Sequence, residues 1–178
     1  IVNNNRIKKF TINSNQYNNI ERFIFISTCS NYGVIKNKIA NEKSKLNPKS
    51  SYAKAKINIE KFLLRSPKIK NVTTILRFAT AFGLSPRMRF DLTLNQFCKE
   101  ALLNKYIEIY DSMTWRPYCH VLDFSRIIQK VIFSDKSLVD KEIFNAGSDF
   151  NNSRKIDIAK KVKKKLKALK IFKVKGTN

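Results

Sequence analysis

Cysteine and histidine are scarce in this chain of 178 residues, and their scarcity excludes two classes of protein. Cys29, Cys98 and Cys119 are odd in number and widely separated, which argues against a disulfide framework and fits a reducing compartment. His120 is the one histidine and no C-x-x-C pair occurs, so we expect no bound metal. Because no basic partner stands near Cys29 in the sequence, we interpret it as a buried small side chain and not as a nucleophile.

Long apolar runs are also lacking. The longest are a few residues, too short to cross a membrane, and the first residues do not show the charged-then-apolar pattern of a signal peptide. The chain is nevertheless 43% apolar and contains 13 Phe, which is enough for a globular core. We therefore expect a globular cytoplasmic protein with no membrane partner.

Acidic residues are few, with 13 Asp and Glu against 36 Lys and Arg and a net charge of +23. A positive charge of this size suggests nucleic acid as a binding partner. Much of it is lysine spread along the chain, and the dense run at 160–167 has none of the interleaved aromatic residues that base stacking needs. Ile158, Val162, Leu166 and Leu169 fall on one helical stripe, which predicts a solvated lysine face. Nucleic-acid binding is kept as a disfavoured alternative.

Glycine is rare too: Gly33, Gly83, Gly147 and Gly176 are the four present, and none belongs to a G-x-x-G pattern. Dinucleotide-binding α/β domains place a glycine-rich turn after their first strand, where it brings backbone N–H groups close to a pyrophosphate. The sequence contains no such turn.

Hydrophobic periodicity predicts strands and helices that alternate, which indicates an α/β protein with a mainly parallel sheet. Strands are predicted at 22–27, 72–78, 107–110, 118–121, 142–145 and 171–174. Helices are predicted at 3–18, 52–65, 92–103, 123–133 and 153–169. Ser50 or Ser51 would cap the helix at 52–65 and Asp123 the one at 123–133. The 52–65 helix is predicted to place on one side Ala55, Ile59, Phe62 and Leu63.

Three residues have the composition of a proton-transfer site. Thr28 follows the apolar run at 23–27, and Tyr52 stands four residues before Lys56 in a predicted helix. Positions i and i+4 lie on one helical face, so the ammonium would favour the phenolate and make Tyr52 a usable base. In a chain this rich in lysine about one such pair is expected by chance, so its meaning depends on the surrounding residues.

The surrounding motifs occur in a specific order. Residues 27–33 match S-[ST]-x-x-x-Y-G with Thr28 as the second hydroxyl, and the pair matches Y-x-x-x-K with an acidic residue, Glu60, after it. Residues 116–123 and 144–147 follow R-x-[FY]-x-H-V-x-D and [FY]-N-x-G, and residues 76–83 resemble L-R-x-x-N-x-x-G with Thr80 in place of the Asn. From about residue 3 to 160, this order resembles the extended short-chain dehydrogenase/reductase family, specifically its NAD-dependent nucleotide-sugar epimerases and dehydratases.

The resemblance implies a Rossmann-like parallel sheet that lacks its first strands and glycine-rich loop, in a member that begins at its fourth or fifth helix. Residues 1–82 would form the C-terminal half of an NAD-binding domain. Residues 83–178 would form mainly a small substrate-binding part, interleaved with the last Rossmann strand and helix. A homodimer through helices 3–18 and 52–65 is also implied.

The same resemblance implies catalytic roles and NAD as the cofactor. Tyr52 would take a proton from a sugar hydroxyl while hydride leaves the same carbon for the nicotinamide, and Thr28 would hydrogen-bond that oxygen. Lys56 would lower the pKa of Tyr52 and hold the nicotinamide ribose. Asn3 and Ser27 would also lie beside the cofactor.

The implied substrate is a nucleotide-diphosphate sugar, bound by Thr28 together with residues of the second half. Arg87 and Arg116 suit its phosphates because guanidinium groups match phosphate oxygens, although an ordinary basic surface remains an alternative for Arg87. Asn95 would face the substrate, and Thr80 stands where relatives usually have a phosphate-contacting Asn. His120 is interpreted as a structural hydrogen-bonding residue.

Cys29 and Ser30 stand where family dehydratases carry an Asp-Glu pair, which disfavours dehydration. We therefore expect a 4-epimerase, with a role in carbohydrate metabolism and cell-surface polysaccharide biosynthesis. A reductase, dehydratase or decarboxylase of the same family remains an alternative. Another is a catalytically silent fragment, because a site without its phosphate loop cannot hold NAD tightly.

Overall fold

A computed structural model describes residues 20–35, 39–67, 69–166 and 170–174, in which strands and helices alternate as predicted. The strands are β1 Arg22–Thr28, β2 Val72–Phe78, β3 Thr80–Phe82, β4 Tyr106–Tyr110, β5 Trp115–His120, β6 Ile143–Ala146, β7 Asn152–Arg154 and β8 Lys170–Val174. The α-helices are α1 Ser51–Arg65, α2 Thr93–Asn104, α3 Val121–Phe133, α4 Lys136–Val139 and α5 Lys155–Lys165. Asn3 and the predicted helix at 3–18 lie outside the described residues. The sequence patterns do not predict β3, β7 or α4.

The chain divides into two compact units. The first combines Ile1–Phe78 with Arg126–Ala146, and the second combines Ala79–Ser125 with Gly147–Asn178. Assignment of residues 1–82 to the cofactor and 83–178 to the substrate stays a prediction.

A parallel three-stranded sheet in the order β1-β2-β6 forms the described part of the first unit. In its register Thr28 lies opposite Phe78, and Phe78 lies opposite Ala146, so the carboxyl ends of all three strands lie at one edge. The expected parallel sheet is confirmed. Side chains at these strand ends are therefore held close together, as in other parallel α/β sheets.

The two long strands of this sheet are buried to different degrees. β2 lies between two neighbours, and Ile75 and Leu76 are fully buried. The sequence predicts the same for β1, but only Ser27 and Thr28 are buried there and Ile26 is 37% exposed. Within the described residues β1 pairs with β2 alone, which is the physical reason for the difference.

Helix α1 begins and ends where the sequence predicts. The Ser50 hydroxyl accepts a hydrogen bond from the Ala53 N–H at 3.2 Å, which caps the first turn. Of its predicted buried side only Leu63 is buried. The buried residues are Ala53, Ile57, Glu60 and Leu63, whereas Ala55, Ile59 and Phe62 are half-buried. The sequence prediction considered apolar residues only, and it missed this face because the charged residue Glu60 is part of it.

Helix α3 begins earlier than predicted. It starts at Val121, so Asp123 lies in the first turn and is not the cap. There its negative charge still complements the helix dipole.

The second unit contains β5, which pairs in parallel with β3 and antiparallel with β7, and the parallel pair β4 and β8. Its core is built from α2, β4 and α5, and includes Phe97, Ala101, Ile107, Ile109 and Ala159. Within the described ranges, no helix is long and apolar enough to cross a membrane.

Helix α5 begins at Lys155, two residues later than predicted. Residues Asn152–Arg154 pair with 115–117 of β5 and are therefore strand. Ile158 and Val162 are buried as predicted, and Leu166 is partly buried, while Leu169 lies outside the described residues. The predicted solvated lysine face is confirmed, since the exposed residues are Lys160, Lys161, Lys163, Lys164 and Lys165.

Candidate active site

Thr28 is the last residue of β1 and is buried. Its Oγ1 accepts a hydrogen bond from the Ser30 N–H at 3.2 Å and so caps the 3-10 turn Cys29–Tyr32. Gly33 ends that turn with φ +68, and a Cβ added there would clash with the Asn47 carbonyl oxygen, so only glycine fits. A hydroxyl that accepts from the backbone keeps its own proton, which Thr28 can donate to another oxygen.

Tyr52 and Lys56 lie one turn apart on α1. The Lys56 Nζ is 5.7 Å from the centroid of the Tyr52 ring and 4.7 Å from that of Phe25, and it donates a hydrogen bond to the Ile26 carbonyl oxygen at 2.6 Å. Tyr52 is 57% exposed. The ammonium thus links α1 to β1, while the phenol is accessible to a reactant.

Burial lowers the pKa of Lys56, and the nearby charge of Glu60 opposes that shift. Desolvation disfavours the ammonium, whereas a carboxylate one helical turn away favours it. Burial outweighs the charge of Glu60, so the pKa of Lys56 stays below its ordinary value.

Glu60 is buried at the centre of a polar network that the sequence did not predict. Its Oε1 accepts hydrogen bonds from the Ser27 Oγ at 2.5 Å and the Asn31 Nδ2 at 2.8 Å. Arg77 donates to it through two nitrogens, Nε to Oε1 at 3.1 Å and Nη2 to Oε2 at 2.7 Å. Both side chains of this ion pair are 3% exposed.

Arg77 also carries the network toward β6. Its Nη1 donates to the Tyr32 hydroxyl at 2.8 Å, and that hydroxyl donates to the Asn145 Oδ1 at 2.7 Å. Burial raises the pKa of Tyr32, although Arg77 opposes the shift, so Tyr32 is a neutral donor here. Four elements of the first unit, β1, α1, β2 and β6, are joined in this way.

A signal for this network was present in the sequence. Arg77 interrupts the otherwise uncharged strand 72–78, and a charge inside a buried strand requires a partner of opposite sign. Glu60, spaced so as to share a helical face with Ile57 and Leu63, supplies it.

Two predicted cofactor-binding residues have different outcomes. Ser27 is buried and its hydroxyl is engaged with Glu60, so its place beside a cofactor stays a prediction. Asn3 lies outside the described residues.

In the second unit, Asn95 contacts the loop that carries Arg87. The side chain of Asn95 is buried, accepts from the Gly83 N–H at 3.2 Å and donates to the Arg89 carbonyl oxygen at 3.0 Å. Arg87 is exposed and Arg89 forms an exposed ion pair with Asp91 at 2.5 Å. The amide of Asn95 thus shapes the 83–89 loop.

Arg116 and Thr80 lie on neighbouring strands, β5 and β3, and both are half-buried. A further cation stands near Arg116: burial lowers the pKa of Lys155, Asp111 raises it, and the charge of Arg116 lowers it again. The Lys155 ammonium donates to the Tyr110 carbonyl oxygen at 2.8 Å. Sequence reasoning did not single out Lys155, because it is one lysine among many.

His120 has the structural role predicted for it. Its Nδ1 accepts from the Leu122 N–H at 3.2 Å, in the first turn of α3, and its ring packs edge-on against Phe82 with centroids 5.2 Å apart. Gly83 has φ +114, and a Cβ there would clash with the His120 Nε2, so the imidazole requires this glycine.

None of the three cysteines, all of them among the described residues, forms a disulfide, and Cys29 is half-buried and not buried as expected, because it lies in the 3-10 turn after β1. Burial raises the pKa of Cys98 and of Cys119. Over the described residues, no group of three or more His, Cys, Asp or Glu could hold a metal ion.

The family relationship is decided by a family model, described as the NAD dependent epimerase/dehydratase family, which matches residues 5–147. The chain belongs to this family. The resemblance drawn from the motifs is therefore confirmed. A curated relative, the uncharacterized UDP-glucose epimerase YtcB of Bacillus subtilis (strain 168), is 31% identical over 115 residues, which cover 64% of this chain and 35% of that protein.

Solved structures agree in fold. A UDP-glucuronic acid 4-epimerase from Bacillus cereus, in complex with UDP-glucuronic acid and NAD, is 24% identical with a TM-score of 0.75, over 88% of this chain and 49% of that one. A dTDP-glucose 4,6-dehydratase from Bacillus anthracis, in complex with NAD, is 20% identical with a TM-score of 0.74, over 88% and 50%. The Rossmann-like fold is confirmed. The chain spans about a third of the curated relative's length and about half of these structures.

Proposed function

We propose that this chain carries the proton-transfer residues of an NAD-dependent nucleotide-sugar epimerase, and that the reaction is epimerisation at C4 of the sugar. The observation that carries the proposal is the juxtaposition of Tyr52 with Lys56 on α1, and of Lys56 with β1, the strand that ends at Thr28. Family membership gives this juxtaposition its meaning.

The residues present fit one end of NAD. Lys56 is half-buried and donates one ammonium proton to the Ile26 carbonyl, which leaves two protons for the hydroxyls of a ribose. Lys56 would hold the nicotinamide ribose in this way, and Asn3 and Ser27 would complete that side. Bound NAD supplies a reversible acceptor for the hydride of the reacting carbon. The pyrophosphate end has no glycine-rich turn in this sequence.

Each proton-transfer residue then has one task. Tyr52 removes the proton of the sugar hydroxyl and later returns it, which its exposure permits. Thr28 donates its free proton to the same sugar oxygen, because its acceptor side is engaged with the Ser30 N–H. Lys56 places its positive charge near the phenol, with the Nζ 5.7 Å from the centroid of the Tyr52 ring.

The two residues after Thr28 favour epimerisation over dehydration. Cys29 and Ser30 begin the 3-10 turn, and neither is a carboxylate that could move protons at C5 and C6 of the sugar. A keto-sugar that turns over between the two hydride transfers needs no further acid or base. The B. cereus 4-epimerase structure supports the same substrate class, a nucleotide-diphosphate sugar.

The second unit would bind the diphosphate. Arg116 would be the main group that binds the diphosphate, and Lys155 adds a second positive charge near Arg116. Arg87 is exposed on the 83–89 loop, where it could contact the same phosphates. Asn95 would act by holding that loop, and Thr80 by contacting the substrate from β3.

A homodimer through α1 is supported by apolar residues of this helix that lie outside its buried side. Ala55, Ile59 and Phe62 are only half-buried and lie beside the side that packs in the core. A partner copy would cover them. A cytoplasmic location and a role in cell-surface polysaccharide biosynthesis belong to the same proposal.

Mutation of the phenol tests the function. The purified chain is assayed for NAD binding by calorimetry and for conversion of UDP-glucose to UDP-galactose. Tyr52→Phe is expected to lower turnover by about 10² to 10⁴-fold, the usual contribution of general acid-base catalysis, without weakening NAD binding. Tyr106→Phe is the matched control, because that phenol lies in the second unit with its ring against Phe172.

Undiminished turnover in Tyr52→Phe would overturn the assignment. No NAD binding by the unmutated chain would instead favour the silent-fragment alternative.

A further inference from the structure

Glu60 joins the two elements that carry the proposed catalytic residues. It lies one helical turn after Lys56, and it is hydrogen-bonded to Ser27, the residue directly before Thr28. One carboxylate thus links the Tyr52 and Lys56 helix to the end of the strand that presents Thr28.

The carboxylate is anchored from several sides. It receives four hydrogen bonds, from Ser27, Asn31 and the two nitrogens of Arg77. Arg77 in turn is fixed by Tyr32, which is itself bonded to Asn145. A guanidinium held at both ends has one orientation, so Glu60 cannot turn without breaking the pair.

Core packing alone does not explain this arrangement. Burying an ion pair carries a large desolvation cost, and apolar residues of similar volume often replace such a pair without loss of stability. Apolar contacts do not have the fixed distances and angles of hydrogen bonds. Hydrogen bonds between a helix and a strand therefore fix the rotation of the helix about its axis and its position along the strand. The rotation of α1 decides where Tyr52 and Lys56 point.

We infer that Glu60 is a positioning residue: held by Arg77, it locks α1 against the end of β1 and so sets the placement of Tyr52 and Lys56 relative to Thr28. The catalytic meaning of this inference rests on the proposed function. Its geometric content concerns only residues of the first unit.

An electrostatic consequence accompanies the geometric one. The charge of Glu60 raises the pKa of Lys56 against the effect of burial. Loss of that charge should therefore lower the pKa of Lys56, whereas loss of stability alone should not.

The first test measures the charge of Lys56 by NMR. Lysines of the purified chain are 13C-methylated, and the Lys56 resonance is identified by its absence in Lys56→Arg. In Glu60→Gln the Lys56 pKa is expected to fall below that of the wild type. Because that variant leaves Arg77 buried without a partner and so can fail to fold, the double variant Glu60→Gln, Arg77→Gln is measured beside it. A smaller fall is expected there, because the more distant positive charge of Arg77 is removed together with the carboxylate.

The second test removes only the link to β1. Ser27→Ala leaves the ion pair intact, and nuclear Overhauser contacts between the Lys56 side chain and the Phe25 ring, 4.7 Å from the Nζ, are expected to weaken. Thr74→Val is the matched control. It deletes a buried hydroxyl that donates to the Val139 carbonyl at 2.7 Å in the same unit, and it should leave both readouts unchanged.

An unchanged Lys56 pKa in the folded double variant, or unchanged Lys56 to Phe25 contacts in Ser27→Ala, would overturn the inference. Equal shifts in Thr74→Val would do so as well, since they would indicate a general loss of packing. Neither readout needs NAD or a sugar nucleotide. A failure of the proposed function and a failure of this inference are therefore separable.

Discussion

At the scale of single residues, Lys56 shows burial and chemistry acting against each other. The role proposed for Lys56 beside Tyr52 requires a charged ammonium, yet burial favours the neutral amine and lowers the pKa of Lys56. The ammonium is contacted directly by the Ile26 carbonyl at 2.6 Å and by the Phe25 ring at 4.7 Å. Glu60 adds an opposite charge from the next helical turn.

This conflict predicts how stability depends on pH. The folded pKa of Lys56 lies below its ordinary value of 10.5, so between the two pKa values the unfolded chain binds more protons than the folded one. The free energy of unfolding of the wild type, relative to that of Lys56→Met, is therefore expected to rise with pH as it approaches 10.5. Urea unfolding at several pH values measures it, with Lys54→Met, an exposed lysine of the same helix, as the control. A relative stability that falls with pH would contradict the prediction.

At the scale of elements, α1 organises the first unit. It begins at a serine cap, carries Tyr52 in its first turn and Lys56 in its second, and buries Glu60 in its third. Its limits could be predicted because capping and a terminating Ser66-Pro67 are local properties. Its buried side could not, because the burial of Glu60 depends on Arg77 in a strand that comes later in the sequence.

The cap predicts a stability difference between two adjacent serines. Ser50→Ala removes the acceptor of the Ala53 N–H and is expected to lower the free energy of unfolding by about 1 kcal/mol. Ser51→Ala, one residue on and inside the helix, should have a much smaller effect, since alanine is the better helix former. Thermal unfolding of both variants measures the difference. Equal losses would show that the capping bond does not stabilise α1.

At the scale of the whole molecule, the distribution of apolar and charged surface bears on assembly. The lysines of α5 lie on a solvated face opposite a buried apolar stripe and contribute part of the net charge of +23. On α1, in contrast, the apolar residues Ala55, Ile59 and Phe62 are left half-buried.

A dimer is therefore expected to depend on α1. Phe62→Glu would place a charge in the apolar side and is expected to convert a dimer into a monomer, as measured by light scattering with size-exclusion chromatography. Lys61→Glu, an exposed neighbour, controls for the added acidic residue. A monomeric wild type, or a Phe62→Glu variant that still dimerises, would contradict the proposed interface.

The alternation of strands and helices, the limits of α1 and β2, and the family could all be predicted, because periodicity, capping and short motifs are local along the chain. The tertiary structure decided the rest. Residues 152–154 form strand β7 and not the start of a helix, because they pair with β5. Glu60 is buried because Arg77 of β2 forms an ion pair with it. Pairing between distant segments carries no local signature, so its partners become known only when the chain is folded.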